Sequence, residues 1–315
     1  MADDRFRRYS TYLRARYGAR TYRVAVDAGF TCPVRERGTP CSYCDSGGSR
    51  AAYLGAADLT RQVADGVAFL SRRYRASRFL LYFQAFSNTY AAVDHLRNTY
   101  DTALACGEFQ ALIVGTRPDC IDPERADLLA EYQERGLDVW VELGLQSADD
   151  ATLARIDRGH TVAQFDDAVH LLADRGLSVA AHVILGLPGE GVDQAVQTAR
   201  HISALPVDGV KFHNLVLVEG TRMYTEYLAG DVQPPDVAQY RELLIAALEN
   251  LRSDILVMRL TCDPPRGVHH VPERFPPKAA FTDDLIAEMI RRDARQGRCW
   301  EEPLQRPHAS SRERE

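Results

Sequence analysis

The chain has 315 residues, 45% hydrophobic and 26% charged, with a formal net charge of −6. That is the composition of a soluble globular protein with one sizeable core, and it gives no general attraction to nucleic acid. No apolar run reaches the roughly 18 residues of a membrane span, Met1-Ala-Asp-Asp-Arg5 does not open a secretory signal, and seven unevenly spaced cysteines argue against a disulfide framework and for a reducing, cytoplasmic setting.

Residues 1–20 form an Arg- and Tyr-rich segment. Arg5, Arg7, Arg8, Arg14, Arg16, Arg20 and Arg23 crowd the first 23 positions among Phe6, Tyr9, Tyr12, Tyr17 and Tyr22. Arginines that neutralise phosphate beside rings that stack on bases would suit RNA. A helix whose tyrosines pack on the rest of the fold is a sufficient explanation.

From there strand-like and helix-like stretches alternate. A strand is predicted over 22–28, then, after a cysteine-bearing loop, a helix over Leu59–Tyr74 from Val63, Val67 and Leu70 at helical spacing. Phe79–Phe83 is a short apolar strand of the kind buried on both faces. A helix over 92–105, a strand over 111–115, a helix over Pro123–Glu134 and a strand over 138–145 follow. Helical pieces at 149–156 and 162–174 lead to a strand at Ser178–Leu185, a helix at 192–204 and a sixth strand at 208–218. Helices are expected at 221–228 and 237–251, a further strand at 255–260 and a last helix at 283–295. Such alternation indicates parallel strands joined by right-handed crossovers. The predicted fold is α/β: a partial (β/α)6, TIM-like barrel over 21–260, a small C-terminal extension over 261–303 and a frayed tail over 304–315.

Three cysteines, Cys32, Cys41 and Cys44, fall within thirteen residues, on the loop leaving the first strand. Parallel α/β architectures keep their chemistry at that end of the sheet. Three thiolates can hold three corners of a [4Fe–4S] cube and leave one iron open as a reaction site. A Cys-x-x-Cys pair plus one more cysteine also suits a zinc knuckle, with a histidine or Cys262 as fourth ligand, and spacing alone leaves both open. The later strand ends are polar as well: Gln84-Ala-Phe-Ser-Asn-Thr89, Gly115-Thr-Arg-Pro-Asp119, Glu142-Leu-Gly-Leu-Gln-Ser147 and His182 to Glu190, with Arg155-Ile-Asp-Arg-Gly-His-Thr161 between. Polar groups gathered at every strand's C-terminal end mark a site.

Simpler roles exist for single residues. Glu142 suits an ion pair with Arg117 or Arg155, and Arg158 a surface pair. Cys106, Cys120 and Cys299 suit packed thiols, and Cys262 either a packed or a catalytic one. Gly186-Leu-Pro-Gly-Glu-Gly191 has the wrong spacing for a dinucleotide loop, and no Gly-Lys-Ser/Thr loop for a triphosphate is found.

Taken together, these stretches resemble the radical S-adenosylmethionine superfamily, in the branch of the Elongator catalytic subunit and the oxygen-independent coproporphyrinogen oxidases, and within it the YhcC/YtqA-type proteins. The resemblance runs in order from Tyr9 to Arg266 through YSTYLRARYGARTYRVAVDAGFTCP, YFQAFSNTYA, GTRPDC, VWVELGLQS, RGHT, LGLPGE and RLTCDPPR. It implies that Cys32, Cys41 and Cys44 ligate a [4Fe–4S] cluster. It implies further that Tyr43 packs on the adenine of S-adenosylmethionine and that the backbone of Gln84, Ala85 and Phe86 receives its amino group. Gln146 and Arg158 would hold ribose and carboxylate, Thr116, Glu142 and His182 would add contacts or support, and Gly186 would let the backbone approach the adenine. Three departures stand out: eight residues separate Cys32 from Cys41 where three are usual, Gln84-Ala85 replaces a Gly-Gly pair, and His182 stands where relatives often have Asp.

The implied reaction is reductive cleavage of S-adenosylmethionine to a 5′-deoxyadenosyl radical that abstracts hydrogen from a substrate. A one-electron donor such as flavodoxin or ferredoxin would be the partner. A tRNA wobble uridine is one candidate substrate, gripped by Arg7, Arg8, Arg14 and Arg16 and stacked on Tyr12 or Tyr17; a small molecule or a protein is another. A zinc-stabilised, non-catalytic RNA-binding module is the reading of a different class, and it leaves Gln146 and Arg158 unexplained.

Overall fold

The computed structural model describes residues 4–45, 47–48, 58–264 and 267–301. Helix α1 (Tyr9–Tyr17) precedes strand β1 (Tyr22–Val26), and a single turn, α2 (Pro33–Glu36), lies in the cysteine loop. Next come α3 (Leu59–Tyr74), β2 (Phe79–Phe83), α4 (Val93–Leu104), β3 (Ala111–Thr116), α5 (Pro123–Glu134) and β4 (Asp138–Gln146). The helices α6 (Asp150–Arg155) and α7 (Val162–Ala173) lead to β5 (Ser178–Leu185), α8 (Val192–Ser203) and β6 (Gly209–Asn214). The chain closes with β7 (Leu217–Val218), α9 (Arg222–Ala229), α10 (Val237–Glu249), β8 (Leu256–Arg259), β9 (His270–Val271) and α11 (Lys278–Arg291).

Seven strands among the described residues form one all-parallel sheet, ordered β1-β2-β3-β4-β5-β6-β8 and curled into a partial TIM barrel with β1 and β8 at its edges. Both faces are buried, which explains the nearly uninterrupted apolar runs. Val24, Leu81, Phe83, Leu112, Val114, Val141 and Val179 point outward, into one core with Val63 of α3, Tyr100 of α4, Tyr132 of α5 and Phe165 of α7. Several crossover helices start on side-chain caps, Asp58, Asp122, Thr161 and Asp236, each accepting a backbone N–H of the first turn.

The expected sixth strand is two pieces. It ends at Asn214, and Leu217–Val218 leaves the sheet to pair antiparallel with His270–Val271. Residues 255–260 supply the seventh strand, β8, in parallel with β6. The last helix begins earlier than expected, directly after Pro277, and the chain turns away at Asp293, where φ is +52°. The tail over 304–315 lies outside the described residues. No described helix is long and apolar enough to cross a membrane.

The N-terminal segment closes the floor of the barrel. Tyr9 and Leu13 pack with Leu80, Ala111, Trp140, Ala180 and Leu256, at or near the starts of their strands. Trp140 meets the Tyr9 and Tyr12 rings edge-on at 5.6 and 6.2 Å. Arg16 binds Asp138, the first residue of β4, through two bonds of 2.9 and 2.7 Å, and the Tyr17 hydroxyl donates to the same carboxylate at 2.6 Å. Arg7 bonds to Asp254 O and accepts the Val257 N–H through its own carbonyl. This is the end of the sheet opposite the cysteine loop. A grip by Arg7, Arg8, Arg14 and Arg16 on RNA lying over the C-terminal face is therefore ruled out by position, and Tyr12 and Tyr17 are spent on packing and on Asp138. The packed helix is what the segment forms.

Candidate active site

The cysteine loop is held at both ends. Cys32 caps α2, its carbonyl accepting the Arg35 and Glu36 N–H groups, so one helical turn occupies the lengthened spacer. Cys44 N–H closes a turn on Cys41 O at 2.9 Å, Ser42 N–H reaches Ile156 O, and Ser42 O accepts Met223 N–H. Cys32 and Cys41 are buried around Val34, with Tyr43 and Cys44 packed against them. All seven cysteines are free thiols. Burial pushes the Cys44 thiol up, and Arg35, whose Nη2 donates to Cys44 Sγ at 3.2 Å, pulls it back toward the thiolate.

Among the described residues no three His, Cys, Asp or Glu side chains converge as the ligands of one ion would. A four-iron cube does not ask for that convergence, because each thiolate holds a different iron. Soft sulfur donors, buried together and faced by guanidinium groups, fit such a cluster.

Strand β4 brings in the next layer. Its pairing with β5 shifts register between Gly144 and Gln146, and Gln146 sits at φ +78°. Phe86, after β2, is at φ +59°. A left-handed backbone at non-glycine residues is costly and gathers where function holds it; both residues were expected at the cofactor. Gly144 makes the room. A Cβ there would lie 2.4 Å from Arg158 Nη2 and 2.7 Å from Gln146 Nε2. Its carbonyl accepts from Arg158 Nη2 at 2.7 Å and contacts His160 Nε2 at 3.0 Å. Arg158, only 7% exposed, then aims Nη1 at Cys41 Sγ, 3.6 Å away.

Under this layer the barrel holds a buried charge cluster. Glu142 Oε2 accepts from Lys211 Nζ and from His182 Nε2 at 2.9 Å, while Oε1 faces Arg23 Nη2 at 3.4 Å. Lys211 Nζ also reaches the Tyr82 hydroxyl at 3.2 Å. Glu142 thus pairs with neither Arg117 nor Arg155. Arg117 pairs with Asp119 and Arg155 with Glu226. Burial works to raise the Glu142 carboxyl, but the Lys211 and Arg23 charges and the His182 bond outweigh it and hold it well below the usual range. Burial, then the Lys211 charge, push His182 down to about 4. With Nε2–H committed to a carboxylate, the neutral ring keeps Nδ1 as an acceptor, the polarity an aspartate would offer at that position.

This sets a pH dependence. Below about 6.5 the unfolded chain protonates His182, whereas the folded chain does not until about 4, so stability is present above that window and lost as pH falls through it. The thermal midpoint is expected to fall between pH 7.5 and pH 5, and to fall less in His182→Gln. Equal falls in parent and variant would contradict the assignment.

The remaining expected residues lie at the same end. The N–H groups of Gln84 and Phe86 are used by Val26 O and Gly48 O, so this segment offers carbonyls to an ammonium. Thr89 donates to Cys120 O and Thr116 to Thr89, so the Thr116 hydroxyl can only accept from a ligand. Gly186, at φ +84°, has Pro235 in the way of any Cβ, 2.1 Å off, so packing alone already demands glycine. Cys262 follows β8, its N–H on Asn214 Oδ1 and its sulfur 3.4 Å from Asn214 O, and burial pushes its thiol up to about 11. Arg117, Gly144 and His160 lie in the polar strand-end stretches but have no expected role at the site, and Lys211 lies outside those stretches.

A family model described as the Radical SAM superfamily matches residues 29–202, and one described as the Radical_SAM C-terminal domain matches 207–291. The chain belongs to the radical SAM superfamily, enzymes that use a [4Fe–4S] cluster and S-adenosylmethionine, and within it to the YhcC/YtqA-type branch. It is 39% identical to protein YhcC of Escherichia coli over 72% of this chain and 74% of that one. It is 34% identical to YtqA of Bacillus subtilis over 84% and 83%. A partial match, 34% identical over 42% of this chain but 24% of the relative, is to a tRNA uridine(34) acetyltransferase of Methanocaldococcus infernus. The solved archaeal Elp3 of M. infernus, lacking its N-terminus, shares the fold, with a TM-score of 0.69 and 19% identity over 88% of this chain. The chain spans 64% of that structure.

Proposed function

We propose that Cys32, Cys41 and Cys44 hold the [4Fe–4S] cluster and that the enzyme acts on a wobble uridine of tRNA. When bound, the reduced cluster and S-adenosylmethionine would supply radical chemistry, the removal of a hydrogen atom from the substrate by a 5′-deoxyadenosyl radical. The chain's own residues bind, orient and exclude water. Gln84, Ala85 and Phe86 present carbonyls to the methionyl ammonium. Arg158 and Gln146 hold the carboxylate and ribose, in a space that Gly144 keeps open. His182 Nδ1 accepts from the cofactor, with Glu142 holding the ring, Thr116 adds an acceptor, and Tyr43 and Gly186 flank the adenine. A one-electron donor such as flavodoxin or ferredoxin supplies the electron.

The observation that carries the cluster assignment is the set of free thiols, Cys32 and Cys41 buried and Cys44 packed against them, at the C-terminal end of an all-parallel partial barrel, with guanidinium groups at Cys41 and Cys44. The substrate reading is supported by the partial similarity to a tRNA uridine(34) acetyltransferase. Its RNA contacts must come from the C-terminal face, because the N-terminal arginines lie at the other end.

Total tRNA nucleosides from cells with and without the protein test this. A wobble-uridine derivative should change in amount, and the purified protein should bind tRNA with a steep salt dependence. An unchanged nucleoside profile together with no salt-sensitive tRNA binding would leave a small molecule or a protein as the substrate.

A further inference from the structure

Three guanidinium groups reach the cysteine sulfurs: Arg35 at Cys44, and Arg158 and Arg117 both at Cys41, at 3.2, 3.6 and 3.9 Å. Two have other duties or other exposure. Arg158 borders the cofactor, and Arg35 is half-buried at the edge of the loop. Arg117 is different. It is 3% exposed, Asp119 holds it by two bonds of 2.8 and 3.0 Å, and its Nη2 donates to Arg158 O at 2.6 Å. Those three bonds fix Nε and Nη2 and leave Nη1 directed at the sulfur.

We propose that Arg117 is a positioning residue for the electron-transfer step: its N–H···S contact and positive charge on Cys41 set the reduction potential of the cluster. One electron passes from the external donor to the cluster; no bond is made or broken, and the assembly gains one negative charge. A fixed cation and a hydrogen bond to a ligating sulfur stabilise the reduced state more than the oxidised one, which raises the potential. Asp119 offsets part of that charge, so the side chain contributes a moderated field from a rigid position. The inference rests on the assignment of Cys32, Cys41 and Cys44 as cluster ligands.

The test is an anaerobic redox titration of the reconstituted full-length protein, followed by electron paramagnetic resonance. Arg117→Met is expected to make one-electron reduction at least tenfold less favourable, a midpoint about 59 mV lower. Arg117→Lys, which keeps the charge and loses the fork, is expected between variant and parent. Midpoints unchanged in both variants would overturn the proposal while leaving the ligand assignment intact. If Arg117→Met does not assemble a cluster, Arg117→Lys decides alone, a lowered midpoint supporting and an unchanged one overturning. A parent protein with no reducible four-iron signal would instead overturn the ligand assignment itself.

Discussion

Cys41→Ala is expected to abolish the cluster, whereas Arg158→Ala is expected to retain it and lose affinity for S-adenosylmethionine. Cys41 is 5% exposed, packs with Cys32 and Val34, and receives two of the three guanidinium contacts, so its sulfur is central to the proposed donor set. With one of three thiolates gone, two irons would lack a protein ligand. Arg158 is anchored on Gly144 O and aims Nη1 at the Cys41 sulfur, and a guanidinium is not a cluster ligand. Losing a hydrogen bond to a charged partner costs roughly 1.5–3 kcal/mol, about tenfold or more in affinity. Iron content and equilibrium binding of S-adenosylmethionine measure the two effects. Parent-like affinity in Arg158→Ala would show that the arginine does not face the cofactor.

Glu142→Gln is expected to destabilise the fold by about 3–5 kcal/mol, the cost of removing one partner from a buried charge set. The carboxylate has no exposed side-chain surface and faces Lys211, Arg23 and His182 together. Without it, Lys211 and Arg23 are left as uncompensated cations inside the barrel. Replacing both Glu142 and Lys211 by Leu and Met should recover part of the loss, because the desolvation of two ions is then avoided. Denaturant unfolding of parent, single and double variants checks this. A single variant within about 1 kcal/mol of the parent, the range of an exposed pair, would contradict the buried network.

Much of the architecture was legible because helices and buried parallel strands leave different periods. Leu59–Tyr74, Phe79–Phe83, Pro123–Glu134 and Ser178–Leu185 were bounded correctly from the sequence. The break after Asn214 was not, since Leu217 and Val218 continue the apolar run and their partner, His270–Val271, lies far along the chain. The interior network left a readable trace that apolar runs concealed. Glu142, Gly144 and Gln146 alternate along β4, and Gly209, Lys211 and His213 along β6, so period two places polar groups and glycines on one face. Arg117 left less. Its direction depends on Asp119 beside it and on the cysteine loop arriving from another strand, which no local pattern records. The N-terminal arginines mislead for the opposite reason, because composition carries no information about which end of the barrel a helix covers.

The central claim is that this chain binds a redox-active cluster and uses it on S-adenosylmethionine. The direct measurement is metal and sulfide analysis of protein prepared without oxygen, followed by assay of 5′-deoxyadenosine after addition of S-adenosylmethionine and a low-potential reductant. The expected result is a brown protein with about four irons and four sulfides that releases 5′-deoxyadenosine only when reduced. One zinc per chain, no sulfide and no 5′-deoxyadenosine would contradict it and favour a zinc-stabilised binding module.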